Sequence, residues 1–292
     1  MTYDLGVLFG TSVGYLGILF LIAYYADRKV IPTTWIDHPV TYSLSLGVYA
    51  SSWTYYGSVG FADSNGYLFL TIYLGVTLAF ILSPVLLKPL LKLTREHQLT
   101  SLADLFSFRY RSQLAGIMVT LFMLVGSLPY IALQIRAVTE SLQILTQQTT
   151  PDILALGFCL TLMLFAILFG ARHASPREKH RGLVAAVAFE SLVKLIALLL
   201  IGIYAIYFIF DGPNHLSDWL KINPDAVTAL FESTQNQSWF TLILLSFSAA
   251  FLLPRQFHML FTENLNEKSL DTATWLFPLF LLALNLFIPV IL

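Results

Sequence analysis

Long apolar runs, with the charges confined between them, limit what this chain can fold into more than any other feature. Segments 5–25, 40–60, 66–91, 114–145, 152–170, 182–210, 238–261 and 274–292 each approach or exceed the roughly 20 apolar residues that a bilayer-crossing helix needs. Only 11% of the residues are charged, against about 25% in a soluble domain, and the mean hydropathy is +0.74. Barrel strands would be about 10 residues long and polar on one face, a pattern these runs do not follow. The expected fold class is all-α: a polytopic helical membrane protein with about eight transmembrane helices. The start does not read as a cleavable signal, because Asp4 precedes the first run and no basic region comes before it. The single cysteine, Cys159, lies inside an apolar run, so no disulfide framework is expected. The net charge of −1 is carried by short loops and points to no nucleic-acid partner.

Orientation follows from the basic residues. With the N-terminus outside, thirteen of them fall on the inner side: Arg28, Lys29, Lys88, Lys92, Arg95, Arg109, Arg111, Arg172, Arg177, Lys179, Arg181, Arg255 and Lys268. Only Lys221 falls outside, and Arg136 and Lys194 lie within spans. The expected location is the plasma (inner) membrane, multi-pass, with the N-terminus outside. Two inner loops stand out. Stretch 92–111 carries Thr100 and Ser101 ahead of a short interfacial helix over 102–108, and stretch 172–181 (RHASPREKHR) is strongly basic. Either serves as a topology anchor near anionic lipid or as a docking point for another domain. A polar stretch, 211–237, includes a weakly amphipathic piece over 225–237.

No enzyme signature is present: no phosphate-binding glycine loop, no nucleophile elbow and no paired cysteines. The six histidines fall in loops or at span ends, and no two have ligand spacing with a carboxylate in support, so no metal site and no catalytic residue are expected. Four ionisable residues do lie within spans. Arg136 and Glu140 are four residues apart, as are Glu190 and Lys194, so each pair shares a helix face and neutralises itself. Self-paired, they stabilise helices facing the protein interior; opened, one pair contacts an ion or a charged substrate. The two pairs are not expected to bond to each other.

The most distinctive stretch is 43–66, SLSLGVYASSWTYYGSVGFADSNG, where small hydroxyl residues alternate with large aromatics. Lipid rewards no such texture, but a helix that opens its backbone to a ligand in mid-membrane uses it. Ser51, Ser52, Trp53, Thr54, Tyr55 and Tyr56 are the candidate binding residues. Span 238–261 repeats the texture at Ser246-Phe247-Ser248-Ala249-Ala250, and Pro254 ends its apolar run. Paired interrupted helices are what an inverted-repeat transporter contains.

At this point the residues resemble a family. The extra first helix, stretch 43–66 and stretch 130–138 (YIALQIRAV) are similar to the sodium:solute symporter family, and three stretches, 51–60 (SSWTYYGSVG), 180–194 (HRGLVAAVAFESLVK) and 253–264 (LPRQFHMLFTEN), carry a narrower likeness. They look in particular like the transporter-like membrane module at the N-terminus of certain bacterial sensor histidine kinases. The resemblance covers nearly the whole chain and implies two inverted five-helix repeats preceded by one extra helix. Residues 5–25 would be the extra helix, 40–210 the first repeat, and 238–292 the start of a truncated second repeat. It also implies a sodium ion held by backbone carbonyls near Gly47 and Ala50. A small polar solute, such as an amino acid, would lie against residues 51–55, with Gln134, Ser246 and Ser248 as further contacts. The helix expected to supply the side-chain sodium ligands is absent, as are a histidine-phosphorylation box and an ATP-binding domain, so no kinase activity is expected of this chain. The implied function is binding or transport of that solute. Alternatives are a solute-sensing input module for a downstream kinase, or a non-functional remnant that needs a second chain.

Overall fold

The computed structural model describes residues 4–147, 151–165, 180–232, 239–264 and 266–292. Every regular element among them is helical. In chain order these are α1 (Leu5–Asp27), α2 (Thr33–Ile36), α3 (Pro39–Ser45), α4 (Ser58–Asn65), α5 (Leu70–Ile81), α6 (Leu87–Glu96), α7 (Leu102–Tyr110) and α8 (Gln113–Thr146). There follow α9 (Pro151–Phe165), α10 (Arg181–Tyr204), α11 (Pro213–Ile222), α12 (Pro224–Glu232), α13 (Trp239–Leu252), α14 (Pro254–Phe257), α15 (Glu267–Asn285) and α16 (Ile288–Ile291). Tighter 3-10 turns cover Leu46–Tyr49 and Gly66–Phe69, and wider π-turns cover Trp53–Gly57, Ala205–Ile209 and His258–Thr262.

The chain is a polytopic helical membrane protein. Among the described residues five helical runs are long and apolar enough to cross a bilayer: Leu5–Asp27, Trp53–Ile81, Gln113–Thr146, Arg181–Ile209 and Glu267–Ile291. A sixth is the pair Trp239–Leu252 and Pro254–Thr262, bent by 51°. The count falls short of eight for identifiable reasons. Run 40–60 is cut at Ala50, whose backbone is extended (φ −72°, ψ 106°). Run 66–91 stops at Ile81 ahead of Ser83 and Pro84, since proline disfavours helix in the residue before it. The end of run 152–170 lies outside the described residues. So do residues 172–179 of the basic stretch and the last residues of the 225–237 piece, whose helix is α12.

The core forms where α3, α5, α10, α13 and α15 meet. Phe80, Phe257, Phe261 and Phe277 are fully buried, and the Phe80 and Phe277 rings sit 5.0 Å apart between α5 and α15. Helices α5 and α13 approach so closely that a Cβ at Gly75 would collide with the Ser246 hydroxyl and the Ile243 carbonyl. Glycine there is the condition for the contact. By contrast α1 buries little besides Ala26, and α8 buries little besides Gly116 and Thr139. Both lie on the rim, apolar around most of their circumference, as helices facing hydrocarbon are.

The short helix expected after Ser101 is α7. Ser101 Oγ accepts from the Asp104 backbone N–H at 3.0 Å, and the Asp104 carboxylate accepts from the Thr100 N–H and hydroxyl at 3.1 and 2.8 Å. This reciprocal cap satisfies donors that a helix start otherwise leaves open. Burial alone would raise the Asp104 pKa, but the hydrogen bonds from Thr100 and Ser101 outweigh it and hold the carboxyl below its ordinary range.

Candidate functional site

Where a helix is interrupted, backbone carbonyls and amides on either side lose their partners, and in a bilayer they must find others. At the first break one of each has done so, on different helices. The Ala50 carbonyl accepts from Lys194 Nζ on α10 at 2.9 Å, and the Ser52 N–H donates to Gln134 Oε1 on α8 at 3.0 Å. Lys194 also bonds Glu190 at 2.6 Å, one turn earlier on α10. Five residues singled out from sequence therefore meet at one place: Ala50, Ser52, Gln134, Glu190 and Lys194.

The break is seated against α10 by a second close approach. A side chain at Gly47 would run into Ser191, whose Cβ would lie 2.7 Å away. The two carbonyls expected to hold sodium are both engaged, Gly47 by the Ala50 N–H at 2.9 Å and Ala50 by the Lys194 ammonium. Beyond the break the π-turn Trp53–Gly57 carries the aromatic cluster. Trp53 folds back over Gly57 and lies 6.1 Å from the Phe61 ring. Ser51, Trp53, Thr54 and Tyr55 are half-buried and Tyr56 is exposed.

A second break lies at Leu253, with an extended backbone (ψ 134°) ahead of Pro254. That is C-terminal to the run 246–250, where sequence placed the partner of the first break. Ser246 instead donates to the Thr71 carbonyl at 2.8 Å and belongs to the α5–α13 contact. Its small hydroxyl is a packing device. Ser248 is half-buried on the same helix. The residues that do join the breaks follow Pro254. Gln256 Nε2 donates to the Leu46 carbonyl at 3.4 Å, and the Arg255 guanidinium sits 4.3 Å from the centre of the Tyr130 ring. Tyr130 and Gln134 are one turn apart on α8, so that helix faces both breaks with adjacent residues.

Among the described residues, three buried donors in this region have no partner, Gln134 Nε2, Arg255 Nε and the Ser191 hydroxyl, as does one buried acceptor, Gln256 Oε1. An unmatched buried donor costs about 1–3 kcal/mol. The Gln134 and Arg255 groups can only donate, and both lack an acceptor. Arg136 and Glu140 pair at 2.7 Å, but not toward the interior as expected; their side chains are 75% and 53% exposed on the rim. They do not bond to Glu190 or Lys194.

A further polar cluster closes one end of the bundle. The first turn of α10 is held from three directions: Gly182 N–H to Asp27 Oδ1 at 2.7 Å, Arg181 to both Asp37 oxygens at 3.2 and 2.9 Å, and His180 N–H to Glu263 Oε2 at 2.8 Å. Glu263 is buried, and its other oxygen meets His180 Nδ1 and His258 Nε2, each at 2.9 Å. Burial alone would raise the Glu263 pKa, but the hydrogen bonds from the two histidines outweigh it and lower it. Sequence reading found no histidine pair with carboxylate support. The missing signal is the π-turn His258–Thr262, which puts residues five apart on one face, a spacing no α-helix uses for shared ligands.

The molecule is thus a multi-pass helical membrane protein with two broken helices meeting near its centre, a transporter-like arrangement. No family model matches the chain, and no solved structure matches it. Among curated proteins it is 25% identical over 251 residues to a Bacillus subtilis (strain 168) protein named "Uncharacterized symporter YhjB". The match covers 82% of this chain and 48% of that protein, so the chain spans about half the length of the curated relative it matches.

Proposed function

We propose that this chain is a transporter-like membrane domain that binds a small polar solute carrying a carboxylate, such as an amino acid, at the Ala50–Ser52 break. The observation that carries the reading is the pair of unpartnered donors, Gln134 Nε2 and Arg255 Nε, beside an opened helix whose own polar groups are already matched. Two donors without acceptors call for an acceptor-rich ligand, and a carboxylate supplies several lone pairs at once. Trp53, Tyr55 and Tyr56 would cover its apolar part. The relative named as a symporter and the resemblance to sodium:solute symporters support the same class, with residues 40–210 as one repeat and 238–292 as the start of the next.

Sodium enters this reading differently from the resemblance alone. In this arrangement the Lys194 ammonium stands on the Ala50 carbonyl, and sodium could use that carbonyl only by displacing it. We assign Lys194 the role of resident cation. The exposed Arg136–Glu140 pair supports further helices packing on α8, since a charged pair facing hydrocarbon is costly. The charge bias supports an inner-membrane location with the N-terminus outside.

The test is equilibrium binding of a panel of radiolabelled amino acids to the full chain in lipid nanodiscs, with choline exchanged for sodium. Saturable binding of one amino acid, weakened about tenfold (about 1.4 kcal/mol) by Gln134→Ala and unchanged in choline, is expected. Absence of binding by a folded chain overturns the solute assignment, and binding that requires sodium overturns the role given to Lys194. Uptake in vesicles then separates transport from sensing.

A further inference from the structure

We propose that His180, His258 and Glu263 form a zinc site that clasps the start of α10 to the arm beyond the second break. One ligand atom from each lies within 4.8 Å of the other two. Two imidazoles converge on a single oxygen of a buried carboxylate, which places their donor atoms around one point. A tetrahedral zinc with ligands at about 2.0–2.1 Å separates those ligands by roughly 3.3 Å, so the rings need only draw back slightly from their present contact. Two nitrogens and one oxygen are a donor set suited to zinc.

The carboxylate is already oriented for the task. Its second oxygen is fixed by the His180 N–H at 2.8 Å, as outer-shell donors fix metal-binding carboxylates. The imidazoles are about one-third exposed, at 31% and 36%, leaving the solvent side open for a water as fourth ligand. Because His258 and Glu263 lie beyond Leu253 while His180 begins α10, the ion cross-links two elements that otherwise meet through hydrogen bonds. Zinc here stiffens the arm against the rest of the bundle, independently of what binds at Ala50.

The experiment titrates zinc alone against a chromophoric chelator with the full chain in detergent, and records zinc-edge X-ray absorption on the loaded protein. One zinc per chain is expected, with affinity reduced at least about tenfold by Glu263→Gln and by His258→Asn. The absorption spectrum should show a nitrogen and oxygen shell with outer scattering from two imidazoles. No stoichiometric zinc, undiminished affinity in the variants, or sulfur in the shell overturns the site. Where Glu263→Gln or His258→Asn fails to fold, His180→Asn is compared with His215→Asn in the folded chain: zinc affinity falls in the first and is unchanged in the second, and the reverse overturns the site.

Discussion

Gln134 commits its carbonyl oxygen to Ser52 and leaves its amide nitrogen with no acceptor among the described residues, and Arg255, stacked on Tyr130 one turn away on α8, leaves Nε likewise. Asp104 shows the opposite case, a carboxylate whose every role is met locally. Its folded pKa is lowered, so its contribution to α7 is present above the ordinary carboxylate pKa and is lost as pH falls through the folded value. We expect amides of α7 to exchange hydrogen faster in Asp104→Asn than in wild type at pH 6. The difference should narrow as pH falls below the ordinary carboxylate pKa of about 3.9 and close only below the folded value, measured by hydrogen exchange with mass spectrometry. A difference that does not narrow at all as pH falls would show that the carboxylate's charge is not what secures the cap.

At the scale of elements, the interruption at Ala50 and the tight α5–α13 seam depend on small residues used in two ways. At the seam, Gly75 admits Ser246 and the Ile243 carbonyl where a methyl group has no room. Gly75→Ala should cost about 1–3 kcal/mol and lower the yield of folded protein in detergent, read by thermal melting on size exclusion. Gly60→Ala, where nothing approaches, should leave it unchanged. Run length and hydropathy made the helical class legible, and the hydroxyl-aromatic texture of 51–58 made the first break legible. At 246–250 the same texture meets close packing, since Ser246 bonds the Thr71 carbonyl, and the second break falls at Leu253. Lys194 and Glu190 were legible as a pair, but the carbonyl that Lys194 reaches is 144 residues away and no spacing announces it. The His258–Glu263 alignment was hidden because a π-turn has no periodicity that the sequence displays.

For the whole molecule, the contacts at one end gather loops that charge counting had put on the same side. Arg95 reaches the Asn264 carbonyl at 3.0 Å, Lys88 pairs with Asp271, and Arg181 with Asp37. Lys221 pairs locally, with Asp218, on the connection between α10 and α13. In a Cys159→Ala background, a cysteine at Lys221 should react with an impermeant maleimide on intact cells. A cysteine at Lys92 should react only after permeabilisation. Labelling in the reverse pattern would invert the proposed topology.

The three-way hold on the first turn of α10 also sets an order of assembly. Asp27 and Asp37 are already made when His180 leaves the ribosome, so two of the three ties can close at once. Glu263 follows 83 residues later, which at about 5–20 residues per second is a wait of roughly 4–17 s. For that interval the N-terminal helices hold α10 without its last partner. The chain thereby finishes one end of its bundle only after the second broken helix has been synthesised, and a ribosome stalled before that point leaves the His180 amide open to whatever acceptor reaches it first.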